Sequence, residues 1–258
     1  MVQLDKIKIK EFVETNIKTF HESRLRNLEN TKLKDLLKKK NPYMFKAKNL
    51  ITAQDLVSGL LEAKLSSSEE KIFGDFLEDL AIYVAKKTKG ASKSSSAGLD
   101  LEFEKDNIHY VISVKSGLNW GNSSQWKSLK SDFENAVKVL KQSSHTKQVQ
   151  PILGVCYGKA KTTLKRGIIL QVCGQNFWYL MSGDDDFYTD IIEPIGHKAD
   201  QLTNSFNEKK FELINKFTLE FIKEFCDKKG KINSITGKNK VNNINLKISN
   251  TPKASITG

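Results

Sequence analysis

The chain has 258 residues, of which 38% are hydrophobic and 28% charged, a composition that excludes collagen, a coiled coil and a fully disordered protein. No apolar run approaches the roughly 20 residues that span a bilayer, and the first residues contain no apolar signal segment. Three cysteines without metal-ligand spacing indicate a reducing compartment. We therefore expect a cytoplasmic protein with no membrane partner.

The formal net charge of +12 is concentrated in separate blocks. Residues 1–50 carry 13 basic and 6 acidic side chains, and residues 228–258 carry seven lysines and no acid. Residues 115–166 add ten basic against two acidic side chains. Such blocks are suited to a polyanion, most simply a nucleic acid, although a solvated lysine-rich surface is the alternative.

Hydrophobic residues at helical spacing predict that the first part of the chain is helical. Two helices are expected at 5–22 and 25–40. Thr52 can cap the next helix, and the serines and glutamates of 66–70 indicate the start of another. Residues 86–98 are polar and rich in Gly and Ser, which predicts a loop.

From residue 99 the period of the pattern changes to two. Alternation over 99–103 and 108–114, separated by a turn at 105–107, predicts a β-hairpin. The later expected elements are strands at 152–157 and 167–172, a basic loop at 159–166 between them, and helices at 132–140, 177–181, 187–192 and 211–225.

These elements predict an α/β fold with a central mixed β-sheet flanked by helices. Three segments are expected along the chain. They are a basic helical N-terminal segment (1–50), a core (51–227) and a basic polar tail (228–258) that is loosely held or disordered.

A carboxylate and an ammonium group are expected side by side on the hairpin. Side chains alternate faces along a strand, so Asp100, Ser113 and Lys115 project from its polar face, and Asp100 lies across from 111–114. Asp100 could hold a divalent cation, and Lys115 could orient a water or stabilise charge during phosphodiester cleavage. The alternative is a cross-strand ion pair worth about 0.2–1 kcal/mol.

Gly98-Leu99-Asp100-Leu101, followed by Ser113-Val114-Lys115, resembles the PD-(D/E)XK nuclease motif. Longer stretches resemble a type II restriction endonuclease family typified by PmeII, and the resemblance covers roughly residues 40–225. These stretches are SSSEEKIFGDFLEDLA (66–81), the run over 98–125, CGQNFW (173–178) and IIEPIGHKA (191–199). The resemblance implies a restriction-endonuclease-like fold with its nuclease core in 51–227. It also implies a homodimer that cuts double-stranded DNA at a specific sequence, with Mg²⁺, leaving 5′-phosphate.

One position departs from the motif, because Ser113 stands where the second acid would fall. Related nucleases often carry a metal-binding glutamate on the helix before the hairpin, which here is Glu78. Glu102 shares the face of the first acid, and Asp132 or Glu134 on the next helix could swing in. We rank Glu78 first, Glu102 second and Glu134 third as the replacing acid.

Two segments are candidates for DNA contact. Amides and hydroxyls of the segment after the motif can bond phosphates or base edges, and the alternative is a turn into a helix capped by Ser123 or Ser124. The basic loop can grip the phosphate backbone, and the alternative is a solvated loop. The candidate side chains are Asn119, Asn122, Ser123 and Gln125 in the first segment and Lys161, Lys165 and Arg166 in the second.

Three other functions remain open, of which the third is an RNA-binding scaffold. A repair or junction-resolving nuclease of the same fold would cut by DNA shape. A non-catalytic DNA-binding module would fit the serine at position 113 and the basic blocks.

Overall fold

The computed structural model describes residues 4–38, 47–48, 50–143 and 148–232. The helices are α1 (Lys6–Glu29), α2 (Leu33–Lys38), α3 (Ala53–Lys89), α4 (Ser123–Ser143), α5 (Gln175–Ser182), α6 (Phe187–Asp190), α7 (Ile192–Ile195) and α8 (Ala199–Phe225). The strands are β1 (Ser92–Lys93), β2 (Leu101–Lys105), β3 (Ile108–Lys115), β4 (Gln148–Val155), β5 (Thr163–Lys165) and β6 (Ile169–Cys173).

The strands form one mixed sheet with the order β1-β2-β3-β4-β6-β5. The central strands β3, β4 and β6 are parallel, whereas β1, β2 and β5 run antiparallel to their neighbours. Helix α4 connects β3 to β4, as a parallel pair requires. The predicted fold class, a mixed sheet flanked by helices, is therefore confirmed.

The β2–β3 hairpin positions the start of one strand beside the end of the other. Its turn is made by Asp106 and Asn107, whose φ angles of 51° and 60° are those of a two-residue hairpin turn. Leu101 is opposite Ile112 in the register. Asp100, directly before β2, therefore lies beside the last residues of β3, as the alternating pattern predicted.

Each face of the sheet packs on helices. One face buries Leu101, Ile112 and Val114 against the first half of α1, the second half of α3, and α5 and α6. The other face buries Val111 and Leu153 against α4. The strands that carry the motif residues are thus covered on both sides, which fixes their register.

The described chain divides into two compact units. One unit holds the described residues of 4–22 and 70–200, including the whole sheet. The other holds the described residues of 23–69 and 201–232 and has its own apolar core from α1, α2, α3 and α8. Residues 233–258 of the predicted tail lie outside the described residues.

The structure differs from the sequence prediction mainly in where the helices begin and end. The predicted helix start at 66–70 is wrong, because α3 runs through it and the Ser68 hydroxyl donates to the Leu65 carbonyl 3.0 Å away inside the helix. Buried Leu61 and Leu65 continue the apolar stripe across the serines, and packing outweighs their preference for a cap. The predicted break between the first two helices lies later, since α1 extends to Glu29.

Other predicted boundaries shift as well. The N–H of Asp55 donates to the Thr52 hydroxyl at 3.0 Å, so the predicted cap of α3 is confirmed. The predicted loop at 86–98 is wrong in part, because α3 continues to Lys89 and two of the following residues form β1. Residues 39–40 of the predicted second helix lie outside the described residues.

Replacing Gly154 on β4 with alanine should destabilise the sheet. A Cβ at this position would collide with the fully buried ring of Phe177. Overpacking of this kind costs about 1–3 kcal/mol. Urea unfolding followed by tryptophan fluorescence should show the loss.

Gly74→Ala is the matched control for that substitution. Its Cβ would lie at an ordinary 3.7 Å from Ser116 Cβ, and alanine is favoured over glycine inside a helix by up to about 1 kcal/mol. Equal stability changes in the two variants would contradict the described packing of Phe177.

Candidate active site

The Asp100 carboxylate closes the end of the β2–β3 ladder. Its Oδ2 accepts the backbone N–H of Val114 at 2.5 Å and the Ser113 hydroxyl at 3.1 Å, while its own N–H donates to the Ile112 carbonyl at 2.9 Å. The carboxylate thus takes the place of a strand partner, and three hydrogen bonds hold Asp100 at one position.

Lys115 is brought to Asp100 as the hairpin pattern predicted. Its Nζ lies 4.0 Å from Asp100 Oδ2, and the two side chains are 30% and 17% exposed. Lys115 is the last residue of β3, and its carbonyl accepts the N–H of Cys156 at 2.9 Å. The pair therefore lies at the carboxyl ends of parallel strands, where α/β proteins commonly place their sites.

Glu78 approaches the same pair from helix α3. Gly74, one turn earlier, lies against Ser116, so this face of the helix meets the end of β3. Burial raises the pKa of Glu78, and the negative charge of Asp100 raises it further, whereas the charge of Lys115 acts in the opposite direction. Glu78 is thus electrostatically linked to both predicted catalytic residues.

Cys156 lies buried beneath this group of charges. Burial raises the pKa of its thiol, and the carboxylate of Glu78 adds to the rise, more strongly than that of Asp100. The raised pKa disfavours the thiolate, which is the form of cysteine that acts as a nucleophile or binds a metal.

The other candidate acids have different surroundings. Glu102 accepts a hydrogen bond from the Ser94 hydroxyl at 3.1 Å and lies 3.6 Å from His109. Glu134 is exposed and pairs with Lys130 at 3.3 Å. Asp132 packs against the backbone of residue 98, two residues before the first motif acid.

The donors present suit a hard cation that keeps other ligands of its own. Asp100 and Glu78 supply carboxylate oxygens, and Mg²⁺ typically takes one or two carboxylates together with water and phosphate oxygens. In the ranges that the structure describes, no group of three or more His, Cys, Asp or Glu could hold a metal ion. Glu102 is accordingly not brought into a three-carboxylate group with the other two.

Asn122 and Gln125 form the cap of helix α4. Asn122 Oδ1 accepts the N–H groups of Ser124 and Gln125, each at 3.1 Å, and the N–H of Asn122 donates to Gln125 Oε1 at 2.9 Å. This reciprocal pattern is a capping box. The expected alternative caps, Ser123 and Ser124, do not fill that role, and Ser123 is exposed, as is Asn119.

A row of cations and aromatic rings extends from Lys115 along the site. Lys115 Nζ lies 5.8 Å from the ring centroid of Trp120, whose ring is 4.8 Å from that of Trp126, and Arg166 lies 5.9 Å from the latter. No local sequence pattern signals this row, because Arg166 comes from a distant turn. Each cation–ring contact stabilises by about 0.5–1 kcal/mol at a partly exposed site.

The predicted basic loop is partly a strand, because three of its residues form β5. Lys165 ends that strand, and Arg166 and Gly167 turn the chain with φ angles of 53° and 84°. Lys161 and Arg166 are exposed and Lys165 is half-buried. The hairpin therefore presents its cations to solvent at the edge of the sheet.

Residues 7–203, about three quarters of the chain, match the family described as type II restriction endonuclease EcoO109I. The chain belongs to this family. No curated protein matches the chain significantly. The matched range contains Glu78, Asp100 and Lys115, and membership makes DNA the partner of this type II restriction endonuclease.

No helix among the described residues of this restriction endonuclease is long and apolar enough to cross a membrane.

Replacing Glu78 with glutamine should stabilise the protein in a pH-dependent way when divalent ions are absent. A carboxyl whose folded pKa is raised destabilises the fold once it ionises, so the wild type loses stability relative to Glu78→Gln as pH rises. The difference in unfolding free energy between the variant and the wild type should begin near pH 4, around the ordinary glutamate pKa of about 4.3. It should become constant above the pKa of Glu78 in the folded protein.

Unfolding free energies from pH 4 to pH 8 measure this difference. Glu70→Gln, which removes one acid from an exposed position of the same helix, is the control. A Glu78→Gln difference that does not change with pH would contradict the burial of Glu78 beside Asp100.

Proposed function

We propose that this restriction endonuclease hydrolyses phosphodiester bonds of double-stranded DNA at a short specific sequence, with Mg²⁺, leaving 5′-phosphate. The observation that carries the proposal is the Asp100–Lys115 pair, 4.0 Å apart at the carboxyl end of the sheet. Family membership supports the reaction class. A PmeII-like subgroup is the finer assignment within it.

Asp100 and Glu78 would hold the cation, which polarises the phosphate and lowers the pKa of an attacking water when it is bound. The hydrogen bonds from Ser113 and Val114 keep the Asp100 carboxylate in place. Lys115 would orient the water or stabilise charge on the phosphate. Glu102 remains the second candidate ligand.

DNA would lie along the polar segment 119–125, which leads into α4, and along the basic hairpin. Asn119 and Ser123 are exposed on the first, and Lys161, Lys165 and Arg166 lie on the second. Asn122 and Gln125 would act mainly by fixing the start of α4, since their side-chain oxygens bond the helix backbone.

A homodimer is part of the proposal. A two-fold symmetric DNA site matches a two-fold symmetric protein, and each subunit would cut one strand.

A non-catalytic DNA-binding module is the second candidate. Ser113 supplies a hydroxyl where the motif has an acid, and that hydroxyl donates to Asp100 instead of offering a second negative charge. Such a module would bind duplex DNA and leave supercoiled plasmid intact in Mg²⁺ or Mn²⁺.

Asp100→Asn and Lys115→Ala should each lower the cleavage rate by at least about 10²–10³-fold, because the first weakens the site that holds the cation and the second removes a positive charge at the reacting phosphate. Duplex binding should persist in both variants. Single-turnover cleavage and a binding assay measure the two effects.

Glu134→Gln and Lys130→Ala, an exposed pair on α4, are the matched controls and should cleave normally. Glu78→Ala should lose activity and Glu102→Ala should keep it. Full activity of Asp100→Asn or Lys115→Ala would refute the assignment of the site.

Incubation with phage DNA and Mg²⁺, followed by sequencing of the fragment ends, tests the reaction itself. The proposal expects discrete fragments whose ends share one short sequence and carry 5′-phosphate. Nicking that follows DNA structure would instead indicate a repair or junction-resolving nuclease. Binding without cleavage would favour the non-catalytic module.

A further inference from the structure

A cleft rich in lysine lies where the end of α3 meets the end of β2. Its volume is about 460 Å³, within the usual range of ligand sites. Lys86, Lys87 and Lys89 come from the last turn of α3, and Lys105 comes from β2. Glu104 is the acid among the lining residues.

The position of the lysines at the end of a helix explains only part of this positive cluster. Cations in the last turn of a helix are stabilised by the helix dipole, which accounts for the three lysines of α3. Burial lowers the pKa of Lys89, and the positive charge of Lys105, which belongs to another element, lowers it further. Two like charges therefore approach each other where water is partly excluded, which costs free energy unless an anion lies near them.

The acid in the cleft is not enough to balance these charges. Glu104 lies 3.2 Å from His109 Nδ1, so its carboxylate already has a partner on β3. Lys105 lies 3.9 Å from Asp106, whose side chain is 80% exposed and thus screened by solvent. The lining keeps an excess of positive charge.

The cleft is separate from the proposed active site. Lys105 follows Asp100 by five residues along β2, which corresponds to about 17 Å at the rise of a strand. Its occupant is therefore not the phosphate that lies between Asp100 and Lys115. The same length is spanned by about five base pairs of duplex DNA.

We propose that this cleft binds phosphate groups through Lys89 and Lys105, with support from Lys86 and Lys87. The phosphates come either from the backbone of duplex DNA outside the cleavage site or from a free polyphosphate or nucleotide. Both sources present several anionic oxygens to the lysines that line this one cleft.

The double variant Lys89→Gln/Lys105→Gln tests the proposal. Lys216→Gln/Lys223→Gln is the control, because it removes the same charge from exposed positions on α8, outside the basic blocks. If the double variant does not fold, the same measurements are made on Lys105→Gln alone, because the side chain of Lys105 is 45% exposed. Urea unfolding verifies that each variant is folded.

Two measurements distinguish the sources of phosphate, and both are made without divalent ions so that no cleavage occurs. The first is the affinity for a 30-base-pair duplex of arbitrary sequence (about three helical turns) at several KCl concentrations. If the cleft binds duplex, the slope of log affinity against log salt should be shallower than that of the control by about 0.9 for each phosphate that is no longer neutralised. The second is calorimetric titration with inorganic tripolyphosphate, where a free-polyphosphate site should lose at least tenfold in affinity.

Either loss supports a phosphate-binding cleft and identifies the source. Duplex and tripolyphosphate affinities equal to those of the control would overturn the proposal. A wild-type protein that does not bind duplex DNA would count against the proposed nuclease. The tripolyphosphate titration would still show whether the cleft binds phosphate groups.

Discussion

The site depends on the hydrogen bonds that hold the Asp100 carboxylate at the end of the β2–β3 ladder. The Val114 N–H would lack a strand partner beyond the start of β2, and the Asp100 side chain provides one at 2.5 Å. A carboxylate that completes backbone pairing has little freedom to move. Lys115, one residue further along β3, then finds this charge at a fixed position, 4.0 Å from its Nζ.

Ser113 also helps to hold the Asp100 carboxylate in place. It is fully buried directly beside Asp100, and its hydroxyl donates to the carboxylate at 3.1 Å. A serine here adds no second negative charge at the strand, so in the proposed cation site a second carboxylate would come from another element. Burial raises the pKa of Glu78 on α3, and the negative charge of Asp100 raises it further, a repulsion that a bound cation would relieve.

The sequence predicted what depends on local pattern. The hairpin, its turn at residues 105–107 and the meeting of Asp100 with Lys115 follow from alternation with a period of two. The continuous helix through Ser66–Ser68 does not, because tertiary packing of Leu61 and Leu65 outweighs the local preference for a cap. The row from Lys115 to Arg166 was also beyond sequence prediction, because it joins elements far apart in the chain.

The most direct test of whether Asp100 and Glu78 bind the same cation is a double-mutant cycle on Mn²⁺ affinity. The affinity is measured from the paramagnetic resonance of the free ion. The variants are Asp100→Asn, Glu78→Gln and the combination of both. If both carboxylates bind the same ion, each single variant should weaken binding and the combination should cost much less than the sum of the two losses. Unchanged affinity in Glu78→Gln, or losses that add in full, would contradict the account.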